Sequence, residues 1–304
     1  MDEKENQWKD IECMNISRLY FGATSIGEKI YVMRGSSNSD DRFLCSGEVY
    51  DSNCNKWSLL PDMKRSRRGC AVTSVNGRVY VMGGLGGNKR LSSCEMFDPV
   101  TNQWTSLPDR KEARYDCTAC TMDDKIYVIG GHDTAYNCLS SVEVFDTTTM
   151  TWSSSIPDRN LPRCYCAAVS VEKQQQIYVF GGYNEDGHPT TTRLSCVEMY
   201  DIPTQKWTIL DSTMKEKRNA CTATLVGTKI YIIGGQGDND ILHSSCEVFD
   251  TLSNTFCSPS PTNMKDGKAG CQAVSIGSQI YVIGGSNGFT STSSVQLLQL
   301  SSIL

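Results

Sequence analysis

Cysteine and histidine are typical metal ligands, and cysteine can also carry redox chemistry. The 304-residue sequence contains fifteen cysteines and three histidines. A metal site needs several such side chains converging on one ion, whereas His132, His188 and His243 lie more than 50 residues apart. Cys117 and Cys120 match a CxxC pattern, but residues three apart on a β-strand point to opposite faces. We therefore predict no metal site and no cofactor.

Catalytic motifs are also missing. The sequence has no GxSxG nucleophile elbow, no HExxH zinc motif and no GxxxxGK[ST] phosphate loop. Without a nucleophile, base or metal set in recognisable spacing, we predict that the protein is not an enzyme.

Charge and composition exclude further classes of protein function. The net charge is -5, so no overall basic field would attract nucleic acid. No apolar stretch approaches the roughly 18 residues of a membrane span, and the N-terminus MDEKENQWKD has no signal-peptide core. We predict a cytoplasmic protein, with the nucleus as the alternative. In that setting the cysteines are interpreted as reduced, buried thiols.

An internal repeat organises the whole chain. A short apolar run ends in paired glycines five times, and Arg34-Gly35 is a degenerate sixth copy. The intact pairs are Gly83-Gly84, Gly130-Gly131, Gly181-Gly182, Gly234-Gly235 and Gly284-Gly285. The intervals between the six copies run from 47 to 53 residues. Such a period is typical of a repeat fold in which each unit packs on its neighbours.

A second landmark keeps register with the glycines. An aspartate precedes a large aromatic residue by six positions in five units, as in Asp51 and Trp57 or Asp250 and Phe256. Apolar runs and turn signals divide each unit into four short strands. The second strand, IYVIGG or a relative, is apolar on nearly every residue, which indicates a strand covered on both faces.

These motifs resemble the Kelch repeat, and the resemblance extends from Trp8 to Leu300. It implies an all-β fold: a six-bladed β-propeller with four antiparallel strands per blade. Because Trp8 precedes the first glycine landmark and no Trp strand follows Val295–Leu300, the N-terminal strand is predicted to complete the C-terminal blade. We expect one domain over 1–304, with repeats at 18–65, 66–112, 113–161, 162–215, 216–265, and 266–304 plus 1–16.

Aligning the six repeats gives columns, and each column becomes a ring around the propeller axis. One column is entirely cationic: Arg18, Arg67, Arg114, Arg163, Arg218 and Lys268. In similar Kelch domains this position lies near the axial mouth, so the ring could bind an acidic or phosphorylated segment. Alternatively, each cation braces a loop against a glutamate column at Glu48, Glu95, Glu143, Glu198 and Glu247.

Three residues later, five of six repeats carry cysteine: Cys70, Cys117, Cys166, Cys221 and Cys271. A ring spreads its members around the axis, so we interpret these cysteines as small packing residues and not as metal ligands.

Residues after each glycine pair vary between repeats, as a recognition surface on loops would. The predicted partner-binding residues besides the cations are Tyr115, Asn219, His132, Tyr136, Tyr183, Gln236 and Phe289. Aromatic side chains among them would act as anchors.

The sequence therefore predicts a monomeric, non-enzymatic module that binds a protein or peptide at the axial mouth, with no nucleic-acid or membrane partner. Many similar Kelch propellers are substrate-recognition parts of cullin-3 ubiquitin ligases. That role is the main alternative, although a BTB region is absent from this chain. Actin binding and a metal-dependent enzyme are more remote alternatives.

Overall fold

A computed structural model describes residues 6–37, 42–154, 156–184, 192–258 and 260–301. Six four-stranded antiparallel sheets form the blades of a propeller. The innermost strands of neighbouring blades contact one another around the ring, including those of the first and last blades. The predicted all-β, six-bladed fold is confirmed.

Each of the first five blades is built from four strands that follow the order of the chain from the axis outward. Blade 1 comprises Gly22–Ile26, Lys29–Met33, Gly47–Asp51 and Lys56–Leu59. Blade 2 comprises Ala71–Val75, Arg78–Met82, Cys94–Asp98 and Gln103–Leu107. Blade 3 comprises Thr118–Met122, Lys125–Ile129, Val142–Asp146 and Thr151–Ser153. Blade 4 comprises Ala167–Val171, Gln176–Phe180, Val197–Asp201 and Lys206–Ile209. Blade 5 comprises Thr222–Val226, Lys229–Ile233, Cys246–Asp250 and Thr255–Phe256.

Blade 6 joins the two ends of the chain. Its inner strands are Gln272–Ile276, Gln279–Ile283 and Val295–Gln299, and its outer strand is Trp8–Ile11. Trp8 pairs with Leu298 and Ile11 with Val295. The predicted ring closure by the N-terminal strand is confirmed.

The loops between the second and third strands of several blades contain short hairpins or turns. Two-residue hairpin strands occur at Ser36–Ser37 with Arg42–Phe43, Leu85–Gly86 with Lys89–Arg90, and Tyr183–Asn184 with Thr192–Arg193. A 3-10 turn at Asp238–Asp240 occupies the same loop of blade 5, and another at Glu172–Gln174 joins the first two strands of blade 4. No helix among the described residues is long and apolar enough to span a membrane.

The core lies between blades because each second strand is covered on both faces. In blade 2, Val79, Val81 and Met82 have no exposed surface, and the equivalent residues of the other blades are also buried. Burying such a side chain stabilises the fold by roughly 1.5–3 kcal/mol. Clusters of these residues extend from each blade to its neighbour.

The landmark tryptophans and aspartates fix the outer strands. Each tryptophan indole donates a hydrogen bond to a backbone carbonyl in a preceding linker, as Trp104 does to Pro61 at 2.9 Å. The other donor–acceptor pairs are Trp8–Thr262, Trp57–Glu12, Trp152–Pro108 and Trp207–Pro157. The aspartate before each outer turn accepts backbone N–H bonds from that turn, as Asp146 does from Thr148 and Thr149. These bonds cap the turn, as aspartate side chains commonly do.

Candidate functional site

The ring of cations is buried. Arg18, Arg67, Arg114, Arg163 and Arg218 are 0% exposed, and Lys268 is 2% exposed. In every one of the arginines, Nη1 donates to two backbone carbonyls of its own blade; for Arg218 these belong to Gly234 at 2.8 Å and Ser245 at 3.1 Å. This finding corrects the expectation of a solvent-facing cationic rim, because these side chains have no surface left for a partner.

The glutamates of the second column pair with these arginines, as the alternative interpretation predicts. We call each arginine–glutamate pair, with its backbone hydrogen bonds, a brace. Arg163 Nε donates to Glu198 at 2.9 Å, and both side chains are fully buried. The glutamate also accepts a backbone N–H from the linker entering the blade; for Glu198 the donor is Asn160 at 3.0 Å. A buried ion pair that satisfies its remaining groups in this way holds a loop in one geometry. Blade 6 departs from the pattern, since Lys268 donates to Ser294 instead.

A column that the sequence analysis did not use lies four residues before the cations. Its members are all buried: Met14, Met63, Arg110, Arg159, Met214 and Met264. In blades 3 and 4 an arginine replaces methionine and pairs with the blade's glutamate, as Arg110 does with Glu143 at 3.0 Å. The fixed offset from the cations is the signal that could have revealed this column.

The glycine pairs attach this scaffold to the next blade. The second glycine of each pair donates its N–H to the carbonyl of the next blade's cation, as Gly131 does to Arg163 at 2.9 Å. A Cβ on Gly130 would lie too close to that same carbonyl oxygen, and both glycines have positive φ. A side chain is therefore excluded where neighbouring blades meet.

The axial mouth is lined by the residues that lie two positions after the cations in the sequence. The residues there are Tyr20, Gly69, Asp116, Tyr165, Ala220 and Gly270, and all six have φ between 48° and 63°. Five backbone hydrogen bonds connect them in sequence around the axis, from Gly69 N to Tyr20 O through Gly270 N to Ala220 O. The ring narrows the channel, and its side chains differ from blade to blade. Sequence analysis missed it because its members share a backbone conformation and not a residue type.

The cysteine ring lies directly behind this mouth and lines the same channel. Its buried position raises the pKa of Cys221 to about 12 and that of Cys271 to about 11. These thiols are therefore protonated and unreactive near neutral pH, which agrees with the packing interpretation.

Two further columns of the aligned repeats form backbone bridges with each other around the mouth. The residue after each cation forms an antiparallel bridge with the residue after each glycine pair, in all six blades. Four of these bridges are Arg68–Leu85, Tyr115–His132, Cys164–Tyr183 and Asn219–Gln236. Five of the predicted binding residues thus lie in one layer. Tyr115 and His132 are nearly buried, while Asn219, Tyr183 and Gln236 are partly exposed.

Aromatic and polar groups concentrate on the blade 3 and blade 4 side of the mouth. The rings of Tyr115 and His132 stack with centroids 4.8 Å apart. His132 Nε2 lies 2.6 Å from the Tyr183 hydroxyl. Tyr165 stacks on Tyr183. Burial is the main cause that raises the pKa of Tyr165 above its usual range, and the negative charge of the neighbouring Asp116 is the second. This cluster forms a rigid, partly apolar wall.

The loop tips carry exposed apolar groups. Tyr136 in blade 3 is 60% exposed, Phe289 in blade 6 is 92% exposed, and Ile241 in blade 5 is 59% exposed. The guanidinium of Arg90 in blade 2 lies 4.0 Å from the Tyr136 ring centroid. Arg68 lies 5.1 Å from the ring of Phe43. The cations available at the mouth are therefore not those that the aligned column predicts.

One pair of cysteines contradicts the interpretation of all fifteen as reduced thiols. Cys138 and Cys164 form a disulfide, with Cα atoms 5.5 Å apart. It connects the mouth loop of blade 3 to the entrance of blade 4. The other thirteen cysteines are free, and eight of them are buried.

Comparison with known sequences gives a consistent result. The sequence profile of the KLHDC2/KLHL20/DRC7 Kelch-repeats domain matches residues 20–159 and 116–302. An F-box/kelch-repeat protein of Arabidopsis thaliana is 36% identical over 90 residues, which cover 29% of this chain and 20% of the relative. Kelch-like protein 41a of Danio rerio is 35% identical over 83 residues, 27% of this chain and 14% of the relative. Beta-scruin of Limulus polyphemus is 26% identical over 238 residues, 77% of this chain and 20% of the relative.

These matches span about a fifth or less of the relatives' own length. The profile, however, covers nearly all of this chain, and the six glycine landmarks, the braces and the closed ring follow the repeat. The chain belongs to the Kelch-repeat family.

Proposed function

We propose that this propeller is a non-enzymatic module that binds a segment of another protein at its axial mouth. The observation that carries the proposal is the exposure of Tyr136, Ile241 and Phe289 on the mouth loops. Buried arginine–glutamate braces hold the blades that carry Tyr136 and Ile241. Large apolar side chains on a rigid scaffold are typical anchors of protein interfaces.

The partner segment is proposed to carry a carboxylate or phosphate on the blade 2 side. Arg90 and Arg68 are both partly exposed. A guanidinium fork pairs well with either anion. This preference comes from the two partly exposed arginines, since the buried ring cannot supply it.

Affinity capture from cells followed by mass spectrometry tests the proposal. The wild type is compared with a Tyr136→Ser/Phe289→Ser variant and with a matched Val100→Ser/Leu252→Ser control. Val100 and Leu252 are exposed as well, but they lie in the outer turns at the opposite end of the blades. We expect a set of proteins captured by the wild type and the control and lost from the mouth variant. Equal capture by all three would place recognition elsewhere.

A second candidate is the substrate-recognition part of a ubiquitin ligase. It is favoured by the F-box/kelch-repeat and Kelch-like relatives and by the resemblance to cullin-3 adaptors. The same immunoprecipitates, probed for cullin-3 and for ubiquitin conjugates of the captured proteins, test it. Recovery of the captured proteins without a cullin would count against this role.

A further inference from the structure

Three potential metal ligands converge at the mouth between blades 3 and 4. His132, Cys138 and Cys164 each offer one ligand atom, and these atoms all lie within 4.8 Å of one another. Among the described residues this is the one group of three histidine, cysteine or carboxylate side chains found so close together. The ligand set was invisible in the sequence because the second cysteine follows the first by 26 residues, in another blade.

Backbone pairing fixes the positions of these residues. His132 forms an antiparallel bridge with Cys138, and Cys164 forms one with Tyr183. Both sulfur atoms face the same carbonyl oxygen, that of Tyr183, at 3.5 Å from Cys138 and 3.8 Å from Cys164. The backbone thus holds the three residues close to one another before any ion binds.

The imidazole has the surroundings of a metal ligand. His132 is 3% exposed, and its Nδ1 has no hydrogen-bond partner among the described residues. Nδ1 lies 3.6 Å from Asp116 Oδ2, which also lacks a partner there. Metal-binding histidines commonly direct one ring nitrogen to a carboxylate and the other to the ion. In this arrangement Asp116 would orient the ring through Nδ1, and Nε2 would bind the ion in place of the Tyr183 hydroxyl, which lies 2.6 Å from it.

We propose that His132, Cys138 and Cys164 form a zinc-binding site in the reduced protein. Two thiolates and an imidazole are a preferred ligand set for Zn²⁺, and three protein ligands leave the fourth tetrahedral position open. The site is distinct from the proposed protein-binding function and does not depend on it.

Zinc binding requires the disulfide to be reduced first. A dithiol supplies two electrons and two protons, so the Cys138–Cys164 bond becomes two thiols and the dithiol becomes a cyclic disulfide. Each thiol then releases one proton as its sulfur binds Zn²⁺. The same two residues are therefore joined by a covalent bond in the disulfide form and through the metal ion after reduction.

Zinc retention by the whole chain tests the proposal. The protein is reduced under argon, its free thiols are counted, and it is then loaded with Zn²⁺, desalted and analysed by mass spectrometry of the metal. We expect about one tightly held zinc ion per chain, lost in His132→Gln, Cys138→Ser and Cys164→Ser and retained in Cys54→Ser. Asp116→Asn should weaken zinc affinity by about 10–100-fold, because it removes the orienting carboxylate.

A measurement on the wild type guards against variants that fail to fold. Reduced protein is treated with N-ethylmaleimide with and without zinc, and the modified peptides are identified. Protection of the partly exposed Cys138 by zinc, with exposed Cys13 and Cys54 modified equally in both samples, supports the site. No zinc on the fully reduced wild type, or equal modification of Cys138 with and without zinc, would overturn it.

Discussion

Arg163 and Tyr165 stand two residues apart at the entrance to blade 4, yet they belong to regions of opposite character. Arg163 is fully buried, and its guanidinium donates to Glu198 and to two backbone carbonyls. Tyr165 lines the axial channel, where the other blades place tyrosine, glycine, aspartate or alanine. The brace recurs in five blades with the same residue types, whereas the channel ring changes from blade to blade. In this propeller, repetition marks the scaffold and variation marks the surface that we propose for recognition.

Blade 6 shows how far the scaffold itself can vary. Lys268 replaces arginine, Gln296 stands where the other blades have glutamate, and the lysine bonds to Ser294. This blade is instead held by the N-terminal strand, which brings the two ends of the chain together. The blade that lacks an arginine–glutamate brace is thus the blade in which the ring closes.

The largest expected effect follows from removing that closure. Deletion of residues 1–16 removes the outer strand of blade 6 and the buried Met14. Because every blade packs on two neighbours, we expect loss of the cooperative thermal transition of the whole domain. Circular dichroism melting of the deletion variant measures this. An unchanged melting temperature would show that the ring does not depend on its N-terminal strand.

Breaking one brace should have the next largest effect. Arg218→Ala leaves Glu247 buried without its charged partner, which costs about 3–5 kcal/mol of unfolding free energy. The control Arg78→Ala removes a half-exposed ion pair with Asp98, for which a loss of about 1 kcal/mol or less is expected. Urea unfolding of both variants makes the comparison. Equal losses would mean that the buried arginine is not a brace.

Substitutions at the mouth should weaken partner binding and leave the stability of the fold unchanged. Tyr136→Ser/Phe289→Ser changes exposed loop residues, so the free energy of unfolding should stay within about 0.5 kcal/mol of the wild type. Loss of two anchors should weaken partner binding by about 2 kcal/mol or more. Urea unfolding and titration calorimetry with a captured partner measure the two quantities. A destabilised protein with intact binding would reverse the roles assigned to brace and mouth.

The smallest expected effect on stability concerns the outer turns, at the end of the blades opposite the mouth. Backbone N–H bonds from Thr149 and Thr148 lower the pKa of Asp146 below its usual range. A carboxylate with a lowered pKa contributes stability above the unfolded value of about 3.9, and this is lost as pH falls through the folded pKa. The melting temperature of Asp146→Asn should therefore fall below that of the wild type at neutral pH and approach it below about pH 4. A difference that does not change with pH would exclude this origin.

The fold was predictable because its signals recur. The glycine pairs and the Asp–aromatic offset give six blades, and the unmatched Trp8 gives the closure. The direction of a side chain has no such signal: the column of Arg18 and Arg67 fits a rim or a brace equally well until its burial is known. The channel ring of Tyr20 and Ala220 escaped notice because only its backbone conformation repeats.

The Cys138–Cys164 pair was unpredictable for another reason. The two residues occupy different columns of different blades, so no alignment of the repeats brings them together. Loops that vary between blades carry chemistry that the repeat cannot specify.

Site-specific photocrosslinking tests the central claim, that the mouth contacts the partner, most directly. Benzoylphenylalanine is introduced in place of Phe289, and in a separate protein in place of Leu252, which is similarly exposed at the opposite end of the blades. The account predicts a crosslinked partner after irradiation at position 289 and none at position 252. A crosslink at position 252 and none at position 289 would contradict it.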